Sequence, residues 1–368
     1  MKRVGITELP LHSGECPAWL FKRMVKLSRA VTEVILMEYG KREFLRRMAD
    51  PFFFQSFGCA VGFDYHSSGL TTTLTGALKE ALKTGELGIL VCGGKGRVSR
   101  KTPEEIERAS ELFSLSSDRV QRLKYASKMA AKVDSACVQD GYQLYHHSFI
   151  LTEDGDWAVV QQGMRERWAR RYHWVSEVVK SFVEEPHSGI AGEKREEVVL
   201  DMTARESEGA RKGSLELAKQ DPQDLLALSR EAEQSSLDEY LGLPQRARLI
   251  MPREHGISRL TRETLSVLRR VREVDPKDYE ELVALRGVGP KTVRALALLS
   301  TLIYGKPPSW KDPVRYSFTV GGKDGVPYPI NRKHYDEVVE FLQLTLQEAK
   351  VEREEKLKAL RRLAGLVG

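Results

Sequence analysis

The 368-residue chain contains no apolar run long enough to cross a bilayer as a helix, for which about 18 consecutive apolar residues are needed. A membrane-embedded role is therefore not expected. Cysteine is scarce: Cys16, Cys59, Cys92 and Cys137 stand singly. With no C-x-x-C pair, zinc ribbons and dithiol redox centres built on that spacing are excluded. Four isolated thiols fit reduced, buried residues of a cytoplasmic protein. The opening MKRVGITELPLHSGE has no apolar stretch behind its charges, so no secretory leader is expected there. Internal repeats and low-complexity tracts are also missing, which excludes a solenoid. Charge of one sign is not in large excess, with 58 basic against 52 acidic residues and a net charge of +6. That balance favours an anionic partner only mildly.

What is present is a folded, globular composition, 41% hydrophobic and 30% charged, over a length that predicts two domains. Residues 16–49 place Trp19, Leu20, Met24, Leu27, Val31, Val34 and Ile35 at helical spacing. The aromatic stretch 52–73 reads as a strand ending in a loop, and Ile89 to Cys92 as a short buried strand. Thr102, Pro103 and Glu105 have the order of a capped helix start. Two strand-like runs flank Asp154-Gly155, a strong hairpin signal. Residues 164–182 fit a helix with Met164, Trp168, Tyr172, Val175, Val179 and Phe182 inward. On that reading Arg167, Arg170 and Trp174 share another face, a basic and aromatic surface for a nucleic-acid strand.

The charged, glycine-containing segment 185–215 is the expected domain boundary, and beyond it the pattern is almost wholly helical. The predicted class is α+β: a mixed N-terminal domain over 1–200, then an all-α domain over 215–368 with a helical hairpin at 277–304.

That hairpin carries the sharpest signal. In DYEELVALRGVGPKTVRALALLSTLIYG, Leu282 and Leu285 face Val293, Leu296 and Leu299 or Ser300 across a turn. Gly287 and Gly289 bracket Val288, whose side chain can plug the apolar seam, and Pro290 sets the next helix's first turn. A glycine turn feeding a helix N-terminus offers unsatisfied N–H groups at the positive end of the dipole. Lys291, Thr292 and Arg294 follow immediately, and the expected function is a base-independent grip on the phosphate backbone.

LVALRGVGPKTVRALAL resembles the helix-hairpin-helix motif of DNA repair and replication proteins. The apolar residues, turn glycines, Pro290, Lys291 and the small Ala295 all fall in order. More widely, GITELPLHSGECPAWL, DPFFFQSFGCAVGFDYHSSGLTTTLTGALKEAL and PPSWKDPVRYSFTVGGKDGVPYP resemble domain of unknown function 763, an archaeal and bacterial family with no assigned activity.

Resemblance to the helix-hairpin-helix DNA glycosylases implies a catalytic aspartate some twenty residues beyond the hairpin and, in lyases, a lysine opening its second helix. Lys291 occupies the lysine place and Asp312 follows 21 residues later. A lysine attacking the sugar and a carboxylate stabilising its positive charge would suffice for excision. A second constellation, His146, His147, Asp154 and Asp156, with Asp134 and Asp140 nearby, has the ligand types of a divalent metal able to activate water for phosphodiester cleavage. Strand alternation puts His146 and His147 on opposite faces. Asp64 and His66 precede a hydroxyl-rich turn. CGGKGR, 92–97, lacks the spacing of a nucleotide loop but could contact a backbone phosphate.

The expectation is a DNA-binding protein of repair or processing, with DNA as partner. Its chemistry could be glycosylase and lyase or metal-dependent nuclease, or it could be a non-catalytic adaptor.

Overall fold

Apolar residues at three- and four-residue spacing form a long first helix, α1 (Ala18–Met48), whose backbone breaks at Gly40, φ +80°. The computed structural model describes residues 16–62, 69–166, 168–192, 194–227, 262–316, 332–349, 356–357 and 359–360. The aromatic stretch expected as a strand instead begins with a helix, α2 (Pro51–Ala60). Asp50 decides this locally: its carboxylate accepts from the N–H groups of Phe52 and Phe53 at 2.8 and 3.3 Å, and Pro51 presets the first turn. Every residue from Phe53 to Ala60 is buried, so the apolar run reflects a helix enclosed on all sides. Helix α3 (Gly69–Ala81) completes this layer. Asp64 and His66 lie outside the described residues.

The central sheet is antiparallel, ordered β1 (Ile89–Lys95), β3 (Gln143–Thr152), β4 (Trp157–Arg165), β5 (Trp168–Val175), β6 (Gly189–Gly192). A small second sheet pairs β2 (Val138–Gln139) with β7 (Leu200–Asp201). The hairpin at Asp154-Gly155 forms as expected, with Gly155 at φ +82°. Alternation divides the sheet between two cores. Val91, Ile150, Ala158 and Val160 face α1 to α3. Cys92, Phe149, Leu151, Val159 and Trp174 face α4 (Thr102–Leu112) and α5 (Ser117–Ala136).

Residues 168–175 are thus a strand, not the expected helix. Arg170 pairs with Gly163 on one side and Gly192 on the other, and period two sends Arg170 and Arg171 to opposite faces. Both are buried, as is Trp174. The basic, aromatic surface read from a helical period does not exist, because the charged residues there are internal. Arg167 lies outside the described residues.

In the C-terminal part, α6 (Glu208–Ala218), α7 (Arg262–Val274), α8 (Tyr279–Ala284) and α9 (Pro290–Tyr304) pack with α5 in one apolar cluster. Helix α10 (Arg332–Glu348) crosses to the other layer, where Phe341 meets Tyr39 and Phe53 at 4.9 and 5.8 Å between ring centroids. The protein is therefore α+β with an antiparallel sheet, and its C-terminal helices share their cores with the N-terminal half. Within 185–215, Gly189–Gly192 form β6, Leu200–Asp201 form β7, and α6 begins at Glu208. Cys59, Cys92 and Cys137 are buried, Cys16 is half-buried, and all four are free thiols. No helix among the described residues is long and apolar enough to cross a membrane.

Helices α6 and α9 approach closely at Gly213, where an added Cβ would stand 2.1 Å from Ser300 Oγ and 3.0 Å from its Cβ. In an open helix Gly→Ala gains about 1 kcal/mol. Here overpacking reverses the sign, and Gly213→Ala is expected to cost about 1–3 kcal/mol. A urea titration in which the variant is more stable than the parent would refute this packing.

Candidate nucleic-acid interface

Residues 285–289 join α8 to α9 in a tight turn. Asp278 caps α8 by accepting from Glu281 N at 2.8 Å. Gly287 sits at φ +94°, open to glycine but strained for other residues, and an added Cβ would also press on Val267 Cγ2 at 2.9 Å. Val288 is buried and anchors the turn in the core. Gly289 serves a different purpose. Its backbone is extended, with no side-chain cap on α9, and a Cβ there would meet nothing nearer than Gly287 O at 3.9 Å. The space before the first N–H groups of α9 is therefore open to an anion.

Helix α5 holds this turn from below. Lys128 Nζ donates to Ala284 O at 2.9 Å and Lys132 Nζ to Leu285 O, while Gln139 donates to Pro290 O at 2.8 Å. Burial, and then Lys128 beside it, pull the Lys132 ammonium down to about 8.

Val288, Gly289 and Pro290 form one wall of a cavity of about 470 Å³, with Ser127, Lys128 and Lys132 of α5, His147 of β3, Gln161 of β4 and Arg100 among the other lining residues. Arg97, Arg100, Lys101, Arg286 and Lys291 are all exposed around this region, and among the described residues none of them makes an ion pair. Of the nearby acids of α4, Glu105 is paired with Lys79 and Glu107 with Lys124, while Glu104 is exposed.

Other expected grip residues are placed differently. Lys291 is exposed, but Thr292 and Arg294 are buried in the hairpin seam. Burial lowers the Arg294 guanidinium to about 10. The glycine loop at 92–97 does not present a free amide at Gly93, whose N–H donates to Glu105 at 2.7 Å and whose carbonyl accepts from Lys79 at 2.8 Å.

The metal constellation is not assembled. His146 and His147 do point to opposite faces: Thr75 of α3 lies 3.1 Å from His146 Nε2, and Ser127 of α5 lies 2.8 Å from His147 Nε2. Asp154 and Asp156 sit at the far end of the hairpin, ion-paired to Lys41 and Arg42 at 3.1 and 2.9 Å. No cluster of three or more metal-ligating side chains occurs among the described residues.

Asp312 is equally committed. Its oxygens accept from Arg170 Nη1 and Nη2 at 3.0 and 2.7 Å, from Glu196 N at 2.7 Å and from Val314 N at 2.9 Å. It lines a cavity with His187, Asp201 and Arg315, away from the one at the hairpin turn. A carboxylate so saturated and shielded gives no support to excision chemistry with Lys291.

The family model described as "Protein of unknown function (DUF763)" matches residues 5–330. The chain belongs to the DUF763 family. No curated protein and no solved structure matches it.

The DUF763 site contains residues that the sequence reading passed over, above all Ser127, Lys128, Lys132 and Gln161. A signal for the first three existed: Ser127, Ala131 and Ser135, with Lys128 and Lys132, form a polar face on α5 opposite Leu123, Ala126, Ala130 and Val133. Gln161 had none, since a polar residue in a strand announces no partner until the sheet is assembled.

Proposed function

We propose that this DUF763 protein binds DNA through the phosphate backbone and acts in DNA repair or processing. On this reading the 285–291 turn works as a helix-hairpin-helix grip. The observation that carries it is the uncapped N-terminus of α9 at Gly289, open in front and flanked by exposed cations without acidic partners. Backbone N–H groups at a helix start bind an anion without reading bases, and Arg286 and Lys291 add charge at the same end. Val288 and the carbonyl bonds from Lys128 and Lys132 hold the turn rigid, which reduces the ordering cost of binding. Lys291 serves here as a phosphate clamp.

Gly289→Val tests the grip without unfolding it. The φ of −126° at Gly289 suits any residue, and the new side chain would stand where the phosphate must approach. Duplex affinity is expected to fall at least about tenfold, the equivalent of one lost charge-assisted contact, with an unchanged melting temperature. Affinity of the parent should also fall with log salt at a slope of about −0.9 per phosphate contact. Fluorescence anisotropy in low salt that finds equal binding by parent and variant would overturn the reading.

A further inference from the structure

Running inward from the cavity beside the hairpin turn, five side chains form a hydrogen-bonded series whose direction is fixed by chemistry. The indole N–H of Trp174 can only donate, and it meets Asp134 Oδ2 at 3.0 Å, so that oxygen is an acceptor. The amide nitrogen of Gln161 therefore donates to the same oxygen. This turns the Gln161 carbonyl toward His147 Nδ1 at 2.7 Å, and Nδ1 must carry the imidazole proton. Nε2 is left as the acceptor, and the Ser127 hydroxyl 2.8 Å away donates to it.

Two further details set Ser127 apart. Serines inside helices commonly donate to the carbonyl four residues back, as Ser110 and Ser135 do here, whereas the bond of Ser127 is to His147. Burial also holds the His147 imidazole below its ordinary range, so the ring is neutral near pH 7. Ser127, His147 and Gln161 all line the cavity that Gly289 and Pro290 wall.

We infer that Ser127 is a nucleophile activated by His147 for attack on a phosphodiester held at the N-terminus of α9, with Gln161 and Asp134 as positioning residues. For its substrate class the inference rests on the proposed backbone grip; for the nucleophile it rests on the hydrogen-bond series alone.

The chemistry balances with water as the only co-reactant. Ser127 Oγ bonds to phosphorus as its proton passes to His147 Nε2. The bond from phosphorus to the leaving oxygen breaks, and that oxygen takes the proton back from the imidazolium. Water, deprotonated by the regenerated His147, then attacks the phosphorus of the serine-linked diester; the P–Oγ bond breaks, Ser127 Oγ takes the proton from the imidazolium, and a phosphate monoester is released. Lys132, Arg100 and the α9 amides surround the charge that develops on phosphorus.

The intact chain is treated with an alkyl fluorophosphonate, which an activated serine attacks with loss of fluoride, and the adduct is mapped by peptide mass spectrometry. Expected is one adduct on Ser127, forming at least about 100-fold more slowly in His147→Gln, the usual scale of a lost general base. Bis(p-nitrophenyl) phosphate should release nitrophenolate with the parent and not with Ser127→Ala. No adduct on Ser127 in folded parent protein, or equal labelling of His147→Gln, overturns the nucleophile. Labelling without diester cleavage overturns the substrate class. Labelling by a protein that binds no duplex would remove the backbone grip alone, and duplex binding without labelling would remove this inference alone.

Discussion

Arg170→Met is expected to remove about 3–5 kcal/mol of folding stability, the cost of leaving buried charge without its partner. The guanidinium is wholly buried, with Asp140 3.0 Å from Nη1 and Asp312 bonded to both Nη1 and Nη2. The Tyr142 ring also lies under it, 4.7 Å from Cζ to centroid. Burial pulls the arginine down, but Asp140, Tyr172 and Asp312 outweigh it and hold the group above its ordinary range. Methionine keeps the apolar stem and strands two carboxylates in the interior. It also frees the 312–314 segment, which Asp312 ties to β5 and to Glu196 N. A urea midpoint shift worth less than about 1 kcal/mol, the scale of an exposed pair, would mean that water reaches this network. Asp140→Asn in the Arg170→Met background should recover part of the loss, since it removes one stranded charge.

Acid should unfold the protein well above the carboxylate range. His146, His147 and His173 are buried and held neutral. Burial, with His147 and Lys95 adding to it, lowers His146 from 6.5 to about 3, and burial first also lowers His147 and His173. For His173 the cause is visible in its bonds: Met48 O lies 3.1 Å from Nδ1, and Arg171 Nε donates to Nε2 at 2.7 Å, leaving no room for a second proton. Below pH 6.5 the unfolded chain binds protons at these rings that the native state cannot. Stability therefore falls as pH falls, and for His146 the loss continues down to its native value near 3. Each ring held neutral throughout contributes about 1.4 kcal/mol per pH unit, so His146 and His173 together should remove about 2–3 kcal/mol between pH 6 and pH 5, and His147 adds to the fall in the same direction. Melting temperatures that stay level from pH 7.5 to 5 would show that at least two of these rings protonate in place.

The sequence by itself determined the elements whose signals are local. The helical repeat from Leu20 to Ile35, the Asp154-Gly155 hairpin and the Gly287-Val288-Gly289 turn need only spacing, a positive φ and a plug residue to be read. The opposite directions of His146 and His147 likewise follow from strand alternation. Tertiary structure decided what depends on burial. Phe52 to Cys59 satisfy strand and helix equally by composition, and enclosure on every face selected the helix that Asp50 starts. Arg170 and Trp174 looked like surface on a period of 3.6 and are core on a period of 2, because β4 and β6 supply the ladder partners and Asp140 and Asp312 supply the charge. The partners of Asp312 were hidden for the same reason: 142 residues separate it from Arg170, and a carboxylate's availability depends on which donors fold against it. The pairing of Ser127 with His147, 20 residues apart, likewise arises only when α5 lies on the sheet. Hydrogen-bond direction is set there by Trp174 and Asp134, which no sequence spacing connects.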